Sequence, residues 1–230
     1  MRAYGRLLLL LACLLAGAPV ARAGDEALCE GEIRAVEARE RLPAGLLRAL
    51  AVSEAGRRDP GTGAVAPWPW TVDHAGDGRY FATAAEAIAW VEELRRAGRR
   101  NIDVGCVQVN LMHHPAAFAD LRQALDPAAN VAYGARLLAA LRRAAGSWER
   151  AVELYHSATP GLGGPYRARV YAAWAAAGGA AVAAGAGPDA PPAGSGGGDP
   201  GPAGAAEPAP AVLARSNLST WPALPGDDRR

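Results

Sequence analysis

The chain of 230 residues is long enough for one domain with additional segments, and half of its residues are hydrophobic. Its 24 basic residues, all of them arginine, nearly balance 23 acidic ones, and the formal net charge of +1 argues against a nucleic acid or another polyanion as partner. Beyond residue 23 no apolar run is long enough to form a stable membrane span.

The first 23 residues have the pattern of a secretory signal peptide. Arg2 and Arg6 precede an apolar run at residues 7–15 that is too short to be a good membrane span, and residues 21–23 read Ala-Arg-Ala, the form of a signal-peptidase site. We therefore expect cleavage before Gly24. The mature protein is then periplasmic or secreted, and a Gram-negative bacterium is the expected source.

Cleavage would leave two cysteines, Cys29 and Cys106. An even pair in an oxidising compartment favours a disulfide, and two separate buried thiols are the alternative. A bond between them would close a long loop and stabilise the fold by about 4 kcal/mol on the chain-entropy model.

The spacing of apolar residues predicts a mainly helical domain over residues 24–176. The second helix is expected to start at Pro43 and end at Gly56, and Asp126 with Pro127 forms a helix start. Thr83 with Glu86 forms the pattern of a capping box, which opens the third helix. Helices are predicted at residues 26–41, 43–56, 84–98, 114–121, 127–146, 148–155 and 166–176.

The other segments carry no helical period. Residues 57–82, rich in proline and glycine, are predicted as a loop in which a small β-hairpin is an open alternative, and residues 101–112 as extended or turn-like around Gly105. Residues 177–230, dominated by alanine, glycine and proline, are predicted as a disordered tail.

Glu54 occupies an unusual position at the end of the second predicted helix. Leu46, Leu50 and Glu54 are spaced i, i+4 and i+8, so the carboxyl group falls on the apolar face of its own helix. Burial raises the pKa of a carboxyl group, as a general acid near neutral pH requires. The alternative is that the side chain bends back to water or pairs with Arg57 or Arg58.

Four short motifs follow one another along the chain. They are residues 53–57 (Ser-Glu-Ala-Gly-Arg), 104–110 (Val-Gly-Cys-Val-Gln-Val-Asn), 130–138, which begin Asn-Val-Ala-Tyr-Gly, and 151–157 (Ala-Val-Glu-Leu-Tyr-His-Ser). Their order and spacing resemble the catalytic domain of the bacterial soluble lytic transglycosylases, a lysozyme-like family. The resemblance covers residues 27–176. It implies a mainly α, lysozyme-like fold with a small β or loop insertion that lines the cleft.

The resemblance also implies roles for individual residues. Glu54 matches the single general acid/base, which protonates the glycosidic oxygen of the MurNAc–GlcNAc β-1,4 bond of peptidoglycan and then takes the proton of the muramoyl 6-hydroxyl, leaving a 1,6-anhydro end. Gln108 and Asn110 match cleft residues that bind sugar or hold the loop. Tyr155 matches a tyrosine near the catalytic carboxyl, and the position of Tyr155 on the inner face of its helix makes Glu54 a suitable partner for its hydroxyl. No cofactor or metal is implied.

Further positions are substrate-binding candidates or depart from the family pattern. Trp68 and Trp70 alternate and could stack on sugar rings, with core packing as the alternative. Ala55 stands where the family has a substrate-contacting serine, and His156 where asparagine is commoner. If Cys106 is bonded to Cys29, the loop that carries Gln108 is pinned to the first helix.

Three other functions stay open at this point. A hydrolytic muramidase of the same fold would need a second carboxylate roughly 5–9.5 Å from Glu54, and no candidate aspartate lies in a recognisable motif. A non-catalytic peptidoglycan-binding module and a cysteine peptidase using Cys106 with His156 are the others. The aspartates considered are Asp59, Asp73, Asp77 and Asp103.

Peptidoglycan glycan strands are the expected partner, and a secretion or motility apparatus of the cell envelope is a further candidate. We expect a monomer. The pair His113 and His114 could suggest a metal, but no third ligand has sensible spacing, and a helix-start or surface role is favoured.

Overall fold

The computed structural model describes residues 24–179, so the predicted signal peptide at 1–23 and nearly all of the predicted tail lie outside the described residues. More than half of these residues are helical, and two small antiparallel sheets account for the strands. The helices are α1 (Glu26–Glu40), α2 (Leu46–Ala55), α3 (Ala84–Arg96), α4 (Leu121–Ala124), α5 (Pro127–Ala145), α6 (Trp148–His156) and α7 (Gly163–Ala176). The strands are β1 (Gly56–Arg58), β2 (Val65–Pro67), β3 (Thr71–His74), β4 (Asp77–Tyr80), β5 (Asp103–Val104) and β6 (Val109–Asn110).

The larger core lies between the long helices. α5 packs against α1 and α6, while α7 packs against α2 and α6, and their inward residues form one buried apolar cluster. α5 is bounded as its sequence predicts: the Asp126 side chain accepts from Ala129 N at 2.8 Å, Pro127 is the first helical residue, and Gly146 ends the helix in a left-handed conformation. The α5–α7 bundle thus forms a rigid support behind α2.

A second, smaller core lies beneath the larger sheet, whose strand order is β4-β3-β5-β6. α3 covers it with Ala87, Val91 and Leu94. The predicted capping box of α3 is present, because the Thr83 hydroxyl accepts from Glu86 N while the Glu86 carboxylate accepts from Ala82 N.

Residues 57–82 contain more regular structure than predicted, because β1–β2 and β3–β4 form two hairpins.

α2, the helix that ends with Glu54, begins at Leu46 rather than at Pro43. Its N-cap is Gly45, which has no side chain to offer, and the buried carboxylate of Glu37 from α1 accepts instead from Gly45 N at 2.8 Å and from Arg48 N at 3.1 Å. Burial raises the pKa of Glu37, and these backbone hydrogen bonds partly oppose that rise. α1 therefore fixes the start of α2.

The predicted helix at residues 114–121 is wrong, since residues 111–120 form turns and only α4 follows, capped by Asp120. Asn110 Oδ1 accepts from Met112 N and His113 N, which holds those groups outside a helix, and Pro115 has no N–H to contribute. Within residues 24–179, no helix is both long and apolar enough to cross a membrane.

Candidate functional site

Glu54 lies in the last turn of α2, with its side chain half-buried rather than fully buried. The helix ends at Gly56, which adopts an extended conformation and is so close to Val52 O that a Cβ atom there would overlap it. Glu54 Oε1 accepts a hydrogen bond of 2.7 Å from the hydroxyl of Tyr166 on α7. Because Tyr166 is itself buried, this contact sets the direction of the carboxylate.

Glu54 was expected to be a suitable partner for the hydroxyl of Tyr155. Tyr155 is buried as predicted, but its hydroxyl donates to Val107 O at 2.9 Å. A phenol has a single proton to donate, and in this structure Tyr166 supplies the one that reaches Glu54.

His156, the neighbour of Tyr155 on α6, connects the two tyrosines. Its ring stacks on Tyr166 with the centroids 4.5 Å apart and the planes within 8°. The last turn of α6 therefore makes two connections. His156 stacks on Tyr166, which donates to Glu54, and Tyr155 donates to the backbone of residue 107.

The turn between β5 and β6, together with β6 itself, is braced by several elements, and we call residues 105–110 the 105–110 loop. Gly105 and Gln108 both have positive φ, 85° and 47°. The buried Gln108 side chain donates to Thr71 O at 3.1 Å and to Gly105 O at 2.9 Å. Gln108 was predicted either to bind sugar or to hold the loop, and these contacts hold the loop.

Asn110 is also engaged with protein groups. Its Nδ2 donates to Asn101 Oδ1 at 2.6 Å and to Asp103 Oδ1 at 3.1 Å, while its Oδ1 accepts from the backbone of residues 112 and 113 at 3.0 Å. Asn110 is buried, so these contacts too belong to shaping the loop.

The motif at 130–138 supports the same loop from α5. Asn130 Oδ1 accepts from Val107 N at 3.1 Å, and its Nδ2 donates to Val104 O at 3.0 Å. A Cβ atom at Gly105 would overlap the Asn130 amide, and one at Gly134 would lie 2.5 Å from Val107 Cγ2 and 2.9 Å from the hydroxyl of Tyr155. Three of the four motifs thus meet at the 105–110 loop.

The predicted disulfide is confirmed, with Cys29 and Cys106 both fully buried and their sulfur atoms bonded. It ties the start of the 105–110 loop to α1. The cysteine-peptidase hypothesis is therefore wrong, because Cys106 has no free thiol to act as a nucleophile.

The remaining residues predicted to contact substrate differ in how far their side chains are buried. Ala55 is fully buried, so its methyl group is not on the surface. Trp68 is also buried, with Nε1 donating to Phe81 O at 2.7 Å, and it meets Trp70 edge to face at 5.7 Å. Trp70 is half-buried against the smaller core, which leaves part of its ring accessible.

The four aspartates considered as a second carboxylate are all engaged in local structure. Asp59 accepts from Thr62 and Gly61 in its own turn, and Asp73 accepts from Gly76 N at 3.2 Å. Hydrogen bonds from Thr62 hold the pKa of Asp59 below its usual value. The remaining two are Asp77, whose pKa the Arg79 guanidinium lowers, and Asp103, which accepts from Asn110.

No group of three or more histidine, cysteine, aspartate or glutamate side chains in the described part of the chain could hold a metal ion. Of the two adjacent histidines, His114 contacts Tyr133, with Nδ1 2.9 Å from the hydroxyl.

Three residues near Glu54 were not predicted as site residues, namely Arg57, Tyr80 and Tyr166. Tyr166 had the signature of a core position, because its spacing with Val170 and Trp174 marks the inner face of α7. Tyr80 donates from its hydroxyl to Gly56 O at 2.6 Å while its ring stays exposed. An aromatic residue in a loop was the available signal for Tyr80, but its contact with the end of α2 depends on how the hairpins fold.

Comparisons of the chain with protein-family models, with curated proteins and with solved structures find no match.

Proposed function

We propose that the protein is a peptidoglycan lytic transglycosylase with a lysozyme-like fold, and that Glu54 is its single general acid/base. The observation that carries the proposal is the hydrogen bond from the buried Tyr166 hydroxyl to a half-buried glutamate at the end of an apolar helix. The convergence of the other three motifs on the 105–110 loop, which Tyr155 and His156 connect to this pair, supports it.

The proposed reaction needs one carboxyl group used twice. Protonated Glu54 donates its proton to the glycosidic oxygen as the bond from that oxygen to C1 of the muramoyl residue breaks. The resulting carboxylate then takes the proton of the muramoyl C6 hydroxyl as that oxygen bonds to C1. Atoms balance without water, and the product is an anhydro sugar. Tyr166 holds the carboxylate in one orientation through both steps.

A muramidase of the same fold, which uses water, is the second candidate. Two-carboxylate hydrolysis needs a second acid about 5–9.5 Å from the first. The local engagement of Asp59, Asp73, Asp77 and Asp103 in turns and pairs favours the single-carboxylate reaction.

The test is the mass of the products released from purified peptidoglycan by the full chain without its first 23 residues. We expect muropeptides that are lighter by one water than hydrolytic products and lack a reducing end, and we expect Glu54→Gln to release none. Glu92→Gln, which alters an exposed glutamate on α3, is the matched control and keeps full activity.

Each other outcome identifies a rival function. Reducing ends alone would establish the muramidase. No release by the wild type, with retained binding to the wall, would establish the non-catalytic module.

The proposed setting is outside the cytoplasm, with peptidoglycan glycan strands as substrate and a monomeric enzyme. The Cys29–Cys106 disulfide supports this setting, because such bonds persist in oxidising compartments. The same proposal includes a role for the enzyme in a secretion or motility apparatus of the cell envelope.

A further inference from the structure

Arg57 lies three residues after Glu54, in β1, and its position is fixed by an aromatic ring. Its guanidinium carbon lies 4.0 Å from the centroid of the Trp68 ring. Trp68 is buried and is anchored by its own hydrogen bond to Phe81 O. The Trp68 ring therefore holds the Arg57 guanidinium near the C-terminal end of α2.

The guanidinium of Arg57 forms no ion pair with a carboxylate of residues 24–179, although its charge acts on Asp59 from a greater distance and lowers the pKa of that carboxyl group. Within residues 24–179, no acidic oxygen lies at ion-pair distance from its guanidinium, whereas Arg79 is paired with Asp77 at 2.6 Å and the guanidinium of Arg58 donates to Gly63 O. The nearby carboxylate of Asp59 is already occupied by the turn of Thr62. A stacked arginine with uncommitted N–H groups can bind an external carboxylate in a bidentate manner.

Tyr80 presents an exposed aromatic ring at the same place. Its side chain is 48% exposed although its hydroxyl donates to Gly56 O at 2.6 Å, so the ring stands at the surface beside the end of α2. Burial raises the pKa of Tyr80, and the positive charge of Arg57 opposes that rise. The two residues are neighbours in the fold because the Tyr80 hydroxyl binds the carbonyl of Gly56, the residue before Arg57.

Arg57 is close to Glu54 along the chain, and Tyr80 is brought close to the end of α2 by its hydrogen bond to Gly56 O. Gly56, which Tyr80 anchors, is two residues from Glu54, so their Cα atoms are at most about 7 Å apart. The Arg57 guanidinium and the exposed Tyr80 ring therefore belong to residues that adjoin the end of α2, where Glu54 lies.

We propose that Arg57 and Tyr80 form a carboxylate-recognition position beside Glu54, at which Arg57 binds an acidic group on the 3-O-lactyl arm of a muramoyl residue and Tyr80 stacks on the sugar or the arm. The inference rests on the proposed function and adds a substrate preference to it. Glycans with an acidic arm bind better than neutral glycans of the same backbone.

The carboxylate could belong to either of two parts of the arm. In strands stripped of peptide by an amidase, it is the free lactyl carboxylate. In intact strands the lactyl group is an amide, and the acidic groups belong to the peptide. The same guanidinium chemistry serves both, so the two substrates must be assayed separately.

The experiment compares wild type, Arg57→Gln and Arg58→Gln on three substrates: intact strands, amidase-treated strands, and amidase-treated strands whose carboxylates have been converted to neutral amides. We expect Arg57→Gln to raise KM about tenfold on at least one acidic substrate, as loss of a charge-assisted hydrogen bond predicts, with kcat within about twofold. The substrate on which KM rises identifies the source of the carboxylate.

Arg58→Gln is the matched control, because Arg58 is the neighbouring exposed arginine and donates to a backbone carbonyl of its own hairpin. It should keep the KM of the wild type on all three substrates. On the neutral amide substrate, wild type and Arg57→Gln should have the same KM. Tyr80→Ala, which removes the ring, should raise KM on all three substrates, whereas Tyr80→Phe removes only the hydroxyl anchor.

The proposal would be overturned if Arg57→Gln left KM unchanged on both acidic substrates, or raised it equally on the neutral one. A thermal melt of each variant excludes loss of folding as the cause. If the wild type releases no product from any substrate, the proposed function has failed instead, so the two failures are distinguishable.

Discussion

At the scale of single residues, the contact that defines the site is the hydrogen bond from Tyr166 to Glu54. The two residues are 112 positions apart in sequence, and the bond holds a half-buried carboxylate in a single direction. Position on an inner helix face was visible for both Tyr155 and Tyr166. Which of them reaches Glu54 depends on how α6 and α7 dock, and one sequence contains no signal for that choice.

Tyr166→Phe should lower kcat/KM on peptidoglycan by about 10- to 100-fold. The estimate follows from about 1.5–3 kcal/mol for a hydrogen bond to a charged group, provided that the bond acts in the transition state. The phenyl ring still stacks on His156, so the melting temperature should stay within a few degrees of that of the wild type.

Tyr171→Phe is the control on the same helix, because the Tyr171 hydroxyl is buried and makes no hydrogen bond within residues 24–179. Its activity should equal that of the wild type, and its stability should be equal or higher. Full activity of Tyr166→Phe would show that Glu54 needs no orienting partner.

At the scale of elements, the organising feature is the 105–110 loop, which is braced from α1, α5, α6 and β3 at once. Bracing from α5 requires a glycine at position 134, where Val107 and Tyr155 leave no room for a Cβ atom. The conformation of the 105–110 loop thus depends on the close approach of α5 as much as on the residues of the loop itself.

Gly134→Ala should lower the free energy of unfolding by about 1–3 kcal/mol, because the added methyl group overpacks the contact with Val107. Gly31→Ala in α1 is the control, since a Cβ atom there meets nothing within 4 Å and helix propensity should raise stability by about 1 kcal/mol. Urea unfolding of both variants measures the difference. Equal effects at the two glycines would contradict the close approach.

Glu37 gives α2 a pH-dependent start. Its pKa is raised in the folded state above the ordinary value of 4.5, so the native state binds this proton more tightly than the unfolded chain does. The stabilisation from protonation is complete below about pH 4.5 and is lost as the pH rises through the folded pKa.

Glu37→Gln removes this titration along with one acceptor for the backbone of α2. The variant should be less stable than the wild type at every pH, with the largest deficit in acid and a smaller one above the folded pKa. Thermal melts from pH 4 to pH 8 would test this, and a deficit that grows with pH would contradict the sign.

Local sequence signals predicted the elements that have strong boundaries. Asp126, Pro127 and Gly146 bound α5, and Thr83 with Glu86 opens α3 as expected. Strand β1 reads Gly-Arg-Arg and β4 reads Asp-Gly-Arg-Tyr, without alternation of apolar and polar residues, so only their pairing across the hairpins makes them strands. In the turns at 111–120, the side chain of the preceding Asn110 accepts from the backbone of residues 112 and 113, and this local contact outweighs the helix preference of the segment.

At the scale of the whole molecule, the disulfide joins the first helix to the loop at the centre of the site across 77 residues. A closed loop of that length restricts the unfolded chain strongly, and the bond should contribute about 4 kcal/mol on the chain-entropy model. The sequence predicted this pairing from cysteine number and export alone, since an even pair leaves a single intramolecular partner.

Replacement of both Cys29 and Cys106 by serine should therefore lower the free energy of unfolding by about 4 kcal/mol, measured in urea. Because both sulfur atoms are fully buried, dithiothreitol without denaturant should leave the wild type oxidised over the same period in which it reduces the unfolded chain. Rapid reduction of the native protein would contradict that burial.

The disulfide also divides the described chain into a covalent ring, from Cys29 to Cys106, and a linear remainder. The exposed turn at residues 59–63 belongs to the ring, so a protease that nicks it leaves two pieces that migrate together on a gel until a reductant separates them. Cleavage at the exposed Gly146 instead gives one fragment with Tyr166 and one with Glu54, and these separate on the same gel with or without reductant. Glu54 and the tyrosine whose hydroxyl donates to it thus lie on two separable parts of the chain, and only non-covalent packing holds these parts together.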